Sequence, residues 1–248
     1  MARKFLKAGA LTAPLPPVRV TVGNMEKANI ITVAWTGILS TIPPRTYISV
    51  RPSRHSHAIL KERGEFVINL PSADMAKKVD YIGIYTGAKV DKFAVCGFTG
   101  SESEQVAAPT IEECPIALEC RVTEVLSMGT HDVFIADILA VSCDERIIDG
   151  AGKMRFERAN LLAYAHGEYF ALGEKLGEFG FSAKKENKKP HAQKGSKDAS
   201  PARAGASAPF GEGKTIAKNE KKPFYLTAPR GKSVGKRGAA KARKGGKK

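Results

Sequence analysis

The chain has 248 residues and a mass of 26.6 kDa, which is long enough to bury a sizeable core in one large or two small domains. Its net charge of +15 is unevenly placed: residues 183–248 carry 20 Lys and Arg against 4 Asp and Glu, whereas residues 1–182 hold 20 basic and 21 acidic residues. The isoelectric point near 9.7 therefore reflects the C-terminal segment. The overall charge is thus no argument that residues 1–182 bind nucleic acid.

The cysteines and the N-terminus predict the environment of the protein. The four cysteines form no C-x-x-C pair and no metal-ligand spacing, so we expect reduced, mostly buried thiols and no metal site. Gly9 and Pro14 interrupt any apolar core of a leader peptide, and no window approaches the roughly 18 apolar residues of a membrane span. These features predict a cytoplasmic protein.

The first half of the chain contains both strand and helix signals. Residues 17–23, 29–35 and 46–51 have the alternation of strands. Residues 56–64 begin with Ser and end with Gly, which is typical of a short helix, and residues 65–71 form a strand that ends at proline. Residues 73–87 have apolar residues near helical spacing and end at Gly87, which predicts a second helix.

Two long strands dominate the second half of the domain. Residues 115–128 and 131–144 both have strand patterns, and the two residues between them, Gly129 and Thr130, are typical of a β-hairpin turn. A short strand, an irregular stretch and an aromatic segment follow, up to residue 182. Six or more strands with only two or three short helices do not alternate as βαβ units, so a mainly antiparallel β-barrel is predicted.

Beyond Ser182 the composition changes to Lys, Ala, Gly, Ser and Pro. Such a segment cannot bury enough apolar surface to offset the entropy of ordering. We therefore predict a domain at residues 1–182 and a disordered basic tail at residues 183–248. The tail could bind nucleic acid or another polyanion, although its three aromatic residues are too few for base stacking. The alternative is a solubilising extension without a partner.

The residues after the strand at 46–51 form the most informative motif. Arg51, Ser53, Arg54 and Ser56 place two cations and two hydroxyls between a strand and the start of a helix. A helix N-terminus presents unpaired N–H groups and a positive partial charge to which phosphate binds readily, and arginine adds bidentate contacts. The alternative is that Ser53 or Ser56 only caps the helix and that the arginines are solvated.

Polar and aromatic residues also lie at the ends of the strand at 29–35. Asn29 begins this strand. The single tryptophan, Trp35, ends it and is followed by two small residues, Thr36 and Gly37. We expect their backbone N–H and C=O groups to be free to meet a flat heterocycle. The alternative is that Trp35 fills the core.

Three histidines and one lysine complete the set of candidates. His131 begins a strand beside the hairpin turn, near the rim of a sheet, and Lys92 is expected in a loop, where the alternative is a simple surface charge. His55 and His57 are two residues apart, but no third ligand accompanies them, so they receive no role. No G-x-G-x-x-G follows a strand, so no Rossmann nucleotide domain is visible.

Taken together, these motifs resemble the flavin reductase-like domain family with the FMN-binding split barrel, and most closely its flavoredoxin branch. The resemblance covers about residues 10–182 and rests on the ordered motifs NIITVAW, PP, SVRPSRHSH, FVINLP, VDKF, GTHDVFIADI and YFALGEKLGEFGFS. It implies a mainly β, antiparallel split barrel of Greek-key type with a few short helices. It also implies a homodimer that binds one FMN non-covalently near each subunit interface.

The resemblance implies roles for individual residues as well. The residues expected to bind FMN are Asn29, Trp35, Thr36, Gly37, Arg51, Ser53, Arg54, Ser56, Lys92 and Tyr164. The arginines and serines would hold the phosphate, residues 29 and 35–37 would meet the isoalloxazine ring and the ribityl chain, and Tyr164 would pack near the ring. Lys92 would bring positive charge towards the cofactor. His131 would be the catalytic residue, close to the flavin and the hydride donor.

The implied activity is that of an FMN-dependent oxidoreductase. FMN would take a hydride from NAD(P)H, or electrons from a redox-protein partner, and pass them to free flavin or another acceptor, while the protein supplies orientation and electrostatics. An NAD(P)H:flavin reductase is favoured over an electron carrier of the flavoredoxin type. A protein that binds FMN without turnover, as a store or sensor, is a further alternative.

Overall fold

The structure is a computed structural model, and it describes residues 2–183. The predicted basic tail at residues 183–248 lies outside the described residues except for Ala183. Within the described part of the chain, no helix is long and apolar enough to cross a membrane.

Residues 2–183 form short strands and helices around two long central strands. The strands are β1 (Val18–Val22), β2 (Asn29–Val33), β3 (Thr36–Thr41), β4 (Pro44–Val50), β5 (Glu65–Leu70), β6 (Gly100–Ser101), β7 (Thr110–Ile111), β8 (Ile116–Ser127), β9 (Asp132–Cys143), β10 (Leu162–Ala165) and β11 (Glu168–Ala171). The helices are α1 (His55–Arg63), α2 (Ala76–Ile84) and α3 (Lys92–Cys96).

Seven of these strands form one sheet, in the order β2-β1-β5-β8-β9-β4-β3, and all neighbouring strands are antiparallel. The two ends of the sheet share one core, because Ile31 of β2 and Ile48 of β4 lie in the same buried cluster as Phe66 and Phe134 from the centre. The sheet therefore curls on itself as a barrel. This confirms the predicted mainly antiparallel β fold.

Strand β1 is covered on both faces. Val18, Val20 and Val22 point into the barrel core, and the intervening Arg19 and Thr21 are also fully buried on the outer face. A second apolar cluster, formed by Ile30, Ile82, Cys96, Phe98, Ile111 and Cys114, packs outside the barrel. It holds α2 and α3 against β2, next to the start of α1.

The predicted β-hairpin is confirmed. Strands β8 and β9 pair from Ile116↔Cys143 to Ser127↔Asp132, and Met128 N donates to His131 O at 2.8 Å across the turn. Gly129 has a φ of +76°, a left-handed conformation that glycine adopts at low cost. The turn therefore places His131 at the end of the barrel where β4 also ends.

Helix α1 begins one residue earlier than predicted and ends as expected. Gly64 follows Arg63 in a left-handed conformation, with a φ of +65°, and its N–H donates to Leu60 O at 2.9 Å. The second predicted helix is shorter than residues 73–87, because a 3₁₀ turn at residues 73–75 precedes α2 and the helix ends at Ile84.

Strand β3 was not predicted from the sequence. Strand β2 ends at Val33 rather than at Trp35, and the chain turns so that Thr36 begins a new strand paired with β4. The pattern of β3 is weak, because a glycine follows its first residue and the adjacent Ile38 and Leu39 are both exposed.

The four cysteines are free, and three of them are buried, as predicted. Burial raises the pKa of the Cys114 thiol to about 11 and that of Cys120 to about 12, so both remain protonated at neutral pH. Among residues 2–183, no group of three or more His, Cys, Asp or Glu side chains is arranged to hold a metal ion.

Candidate functional site

A cavity of about 180 Å³ lies where β4 leads into α1. We call it the phosphate cavity, because its lining combines cations, hydroxyls and a helix start. Its lining residues are Asn29, Ile31, Arg51, Ser53, Arg54, His55, Ser56, Ile82, Tyr85, Thr86, Gly87 and Lys92. Six of the predicted site residues are therefore brought together: Asn29, Arg51, Ser53, Arg54, Ser56 and Lys92.

The start of α1 has no side-chain cap. Arg54 occupies the N-cap position with extended backbone angles, φ −80° and ψ 138°, and no side chain of the described residues accepts from the first turn. Neither Ser53 nor Ser56 caps the helix, so this part of the alternative is wrong, whereas Arg51 and Arg54 are exposed, as the alternative expected. Within residues 2–183, no side chain accepts from the N–H groups of His55 and Ser56, and the helix is nine residues long, enough to carry a partial positive charge at this end.

Asn29 and Ser56 form the floor of the phosphate cavity. Both side chains are buried, and Asn29 Nδ2 donates to Ser56 Oγ at 2.7 Å. Gly87 lies directly against this amide, and a Cβ at position 87 would overlap the side chain of Asn29. The loop after α2 can approach the cavity this closely only because residue 87 has no side chain.

Arg51 and His131 meet at the rim of the cavity. Arg51 Nε donates to His131 Nε2 at 3.4 Å, and His131 Nδ1 lies 2.9 Å from Thr130 Oγ1. Desolvation, together with the charge of Arg51, lowers the pKa of His131. His131 is therefore neutral at pH 7, so its ring can accept from the guanidinium and is held in one orientation.

The sequence predicted Lys92 in a loop, and this is wrong. Lys92 is the first residue of α3, and its side chain is buried. Its Nζ donates to Ile30 O at 2.8 Å and to Ile82 O at 2.9 Å, which ties together β2, α2 and α3. Burial, and to a smaller extent the charge of Arg54, lowers the pKa of Lys92 to about 8. The ammonium group is still charged at neutral pH and lies in the cavity wall.

His57, to which the sequence gave no role, joins α1 to the hairpin. Its Nε2 lies 2.8 Å from Asp132 Oδ2, and both side chains are almost fully buried. The hydrogen bond with His57 lowers the pKa of Asp132. Because the partner is 75 residues away in the chain, no local signal identifies this pair.

The expectation of free backbone groups at Trp35, Thr36 and Gly37 is wrong for the carbonyl groups of Trp35 and Gly37. Trp35 O accepts from Ser49 N at 2.9 Å, Gly37 O accepts from Thr46 Oγ1 at 2.9 Å, and the buried Thr36 hydroxyl donates to Tyr47 O. Thr36 and Gly37 are the first two residues of β3 and Trp35 precedes them; none of the three lines the phosphate cavity. Their role as flavin contacts stays a prediction from the resemblance.

Tyr164 also lies outside the phosphate cavity. It belongs to β10, where its N–H donates to Leu15 O at 2.8 Å and its ring lies 5.4 Å from the ring of Tyr169. Its packing near a flavin ring therefore stays a prediction. Conversely, the cavity includes six residues to which the sequence gave no role: Ile31, His55, Ile82, Tyr85, Thr86 and Gly87.

An antiparallel split barrel with an uncapped helix start beside its rim defines the class of protein, and comparison with known families agrees. The flavin reductase like domain matches residues 12–173. The chain therefore belongs to the flavin reductase-like domain family, as its motifs predicted.

Individual relatives support this membership. The flavoredoxin of Desulfovibrio vulgaris (Miyazaki F) has a similar structure, with a TM-score of 0.69 and 32% identity over 74% of this chain and 100% of that chain. An FMN-binding protein from Thermus thermophilus is similar with a TM-score of 0.61 and 26% identity, over 72% of this chain and 97% of that chain. An uncharacterized protein of Archaeoglobus fulgidus is 34% identical over 145 residues, 58% of this chain and 82% of the relative.

Proposed function

We propose that the protein is a cytoplasmic oxidoreductase that binds FMN non-covalently, with the FMN phosphate in the phosphate cavity. The observation that carries this proposal is the uncapped start of α1, which opens into a cavity lined by Arg51, Ser53 and Arg54. The similarity to a flavoredoxin and to an FMN-binding protein supports the choice of this anion.

The residues present suit a phosphate monoester. Arg51 and Arg54 supply fixed positive charge, the hydroxyl of Ser53 can donate, and the free N–H groups of the first turn of α1 complete the set. A cavity of about 180 Å³ is smaller than the roughly 300–1,000 Å³ of sites that enclose a drug-sized ligand. It suits the phosphate end of the nucleotide, so the ring would lie outside it.

Side chains of the protein supply an oriented hydrogen-bonding group and a positive charge beside the phosphate cavity. When bound, FMN supplies hydride and electron transfer, chemistry that no side chain can provide. His131 is neutral and is oriented by Arg51 and Thr130 at the cavity rim. It offers a fixed, uncharged hydrogen-bonding group close to the place from which the ring would extend. Lys92 keeps a positive charge in the wall at neutral pH.

Of the two activities, an NAD(P)H:flavin reductase is proposed ahead of an electron carrier. The test is the visible spectrum of the purified chain with FMN, recorded anaerobically before and after NADH or NADPH is added. Bleaching by either nucleotide supports the reductase. Stable yellow colour with both nucleotides, followed by bleaching with a reduced redox protein, favours the carrier. A chain that takes up no FMN overturns the proposal.

We also propose that the protein is a homodimer. Val125 and Leu126 of β8 and Met128 in the turn are exposed at one end of the hairpin, and Leu139 and Val141 of β9 are exposed towards its other end. Exposed apolar side chains along the length of a hairpin are often covered by a second subunit. Light scattering coupled to size-exclusion chromatography tests this, and a mass of one chain contradicts it.

Polyanion binding by residues 183–248 is a second proposed function, carried by their 20 basic and 4 acidic residues. Such a segment displaces counterions from nucleic acid and binds with a steep salt dependence. We expect removal of residues 183–248 to abolish retention on heparin and to leave FMN binding intact. Unchanged retention after truncation contradicts the idea.

A further inference from the structure

Another cavity, of about 180 Å³, is lined only by proline, leucine and alanine. Three separate segments form it, and backbone hydrogen bonds join them: Leu15 N donates to Tyr164 O at 2.9 Å, and Leu162 N donates to Pro71 O at 3.1 Å. We call this cavity the apolar groove. It shares no residue with the phosphate cavity, and its lining consists of residues 14–17, 70–71, 161–163 and Leu172.

The size and lining of the apolar groove define what it can hold. It has no charged or polar side chain, so it offers nothing to a phosphate or to a sugar. An apolar protein cavity of about 150 Å³ is known to bind benzene, so a groove of about 180 Å³ has room for one phenyl ring. The fitting occupant is therefore an apolar aromatic side chain.

Such a side chain lies on the segment that follows the groove in the chain. Residues 173–181, which we call the arm, belong to the motif YFALGEKLGEFGFS, to which no role has been assigned above. Leu176 is 91% exposed and Phe179 is fully exposed, whereas the ring of Phe181 folds back onto Gly177, where an added Cβ would lie 2.8 Å from it. Phe179 is thus the aromatic side chain that projects from the arm.

Ion pairs hold the arm away from the groove of its own chain. Lys175 Nζ lies 3.9 Å from Glu157 Oε1, and Lys153 Nζ lies 3.6 Å from Glu178 Oε1, so the arm is tied to the loop at residues 153–157. Moving Phe179 into the groove of its own chain would pull the adjacent Glu178 away from Lys153. A second copy can bring its groove to the ring while both ion pairs persist.

The surface that such an exchange covers suits a supplementary contact of a dimer. In a twofold dimer each groove receives the arm of the other chain, so two phenylalanines are buried. At roughly 150–250 Å² each, with about as much groove surface covered, the exchange buries roughly 600–1,000 Å². A stable interface needs about 1,200–2,000 Å², so the exposed residues of the β8–β9 hairpin would supply the remainder.

We propose that the arm of each subunit binds a second copy of the chain, with the ring of Phe179 in the apolar groove of the other subunit. This inference rests on the proposed homodimer and identifies two surfaces that join its chains. Both surfaces are present on every chain, and one apolar side chain fills one apolar groove.

The first experiment is cross-linking of the full-length chain that carries both Pro16→Cys and Phe179→Cys. Both residues are exposed, and Pro16 lines the groove. A short bismaleimide should link two chains and give twice the mass on a denaturing gel, whereas each single variant, as the matched control, should stay at one chain. A link within one chain, found in the peptides of the product, would show that the arm binds its own groove. That result, or the lack of any link between positions 16 and 179, overturns the inference.

The second experiment measures the dissociation constant of the dimer by light scattering over a dilution series. Phe179→Ser removes the ring, and Phe5→Ser, which removes another almost fully exposed ring, is the matched control. We expect Phe179→Ser to raise the constant about 100-fold or more, because two buried rings are lost per dimer, and Phe5→Ser to change it less than about twofold. An unchanged constant in Phe179→Ser overturns this inference alone. A wild type with the mass of one chain removes the proposed homodimer as well.

Discussion

His57 Nε2 and Asp132 Oδ2 lie 2.8 Å apart in the interior and join the first turn of α1 to the first residue of β9. The ring of His57 also meets Phe134 edge-on, with centroids 5.4 Å apart. The pair therefore connects the two sides of the phosphate cavity, the helix start on one side and the neighbouring His131 on the other. It positions these elements, and neither of its two side chains lines the phosphate cavity.

Loss of this pair is expected to weaken both stability and FMN binding. In Asp132→Asn we expect a lower Tm and an FMN affinity reduced several-fold, because α1 and the hairpin are no longer held together. Asp137→Asn, also on β9 but in an exposed pair with Arg45, is the control. Thermal melts and fluorescence titration with FMN test this, and equal behaviour of the two variants contradicts it.

The same pair makes stability depend on pH. The pKa of Asp132 is lowered in the folded chain, chiefly by the hydrogen bond with His57, so its contribution is present above the ordinary pKa of an aspartate. That contribution is lost as the pH falls through the lowered value. Urea unfolding at neutral and acid pH measures how much free energy of unfolding is lost on acidification. This loss should be smaller in Asp132→Asn than in the wild type, and equal losses would contradict a role of the pair.

Arg51→Ala is expected to weaken FMN about 10- to 100-fold, since a hydrogen bond to a charged group contributes about 1.5–3 kcal/mol. Arg45→Ala is the control. Arg45 lies on β4, the strand that precedes Arg51, but it does not line the phosphate cavity and pairs with Asp137. Flavin fluorescence titration should show weakened FMN binding in Arg51→Ala and unchanged FMN binding in Arg45→Ala. Wild-type affinity in Arg51→Ala would show that the phosphate lies elsewhere.

FMN affinity should fall as the pH rises above about 8. Burial lowers the pKa of Lys92 to about 8, and a nearby phosphate favours the charged form, so binding weakens as that charge is lost. Titrations between about pH 7 and pH 9.5 should show this decline in the wild type and a flat profile in Lys92→Met. A decline of the same size in Lys92→Met would assign it to another group.

Gly87→Ala is expected to disturb the phosphate cavity, which Gly87 itself lines. The added methyl group overlaps the amide of Asn29, so either the bond to Ser56 breaks or the loop at residues 87–91 moves. FMN affinity and Tm should both fall. Gly150→Ala, where nothing lies within 4 Å of the added atom, serves as the control and should change neither.

The elements with strong local signals could be predicted from the sequence. Gly129 and Thr130 between two alternating runs identify the hairpin, and Gly64 identifies the end of α1. Strand β3 could not be found, because its pairing with β4, not its own alternation, makes it a strand. In the same way the end of β2 is set by a turn at residues 34–35 that leaves no clear pattern.

The site was predictable where its residues are adjacent in the chain. Arg51, Ser53 and Arg54 stand together in one motif, and the structure gathers them in one cavity. The burial of Lys92 could not be foreseen, because its two acceptors, Ile30 O and Ile82 O, come from distant elements. Tertiary packing brings such distant partners together, and it cannot be read from a single sequence.

The order of strands in the sheet has a consequence for how the chain folds. Strands β8 and β9 are joined by a two-residue turn and can pair early, whereas β4 reaches β9 only across a long intervening chain, with Val50 paired to Asp132. Arg51 follows β4 and His131 precedes β9, so these two residues meet only when that late pairing is complete. A chain in which only the hairpin has formed has not yet brought Arg51 to His131, so the proposed binding of FMN requires the pairing of β4 with β9.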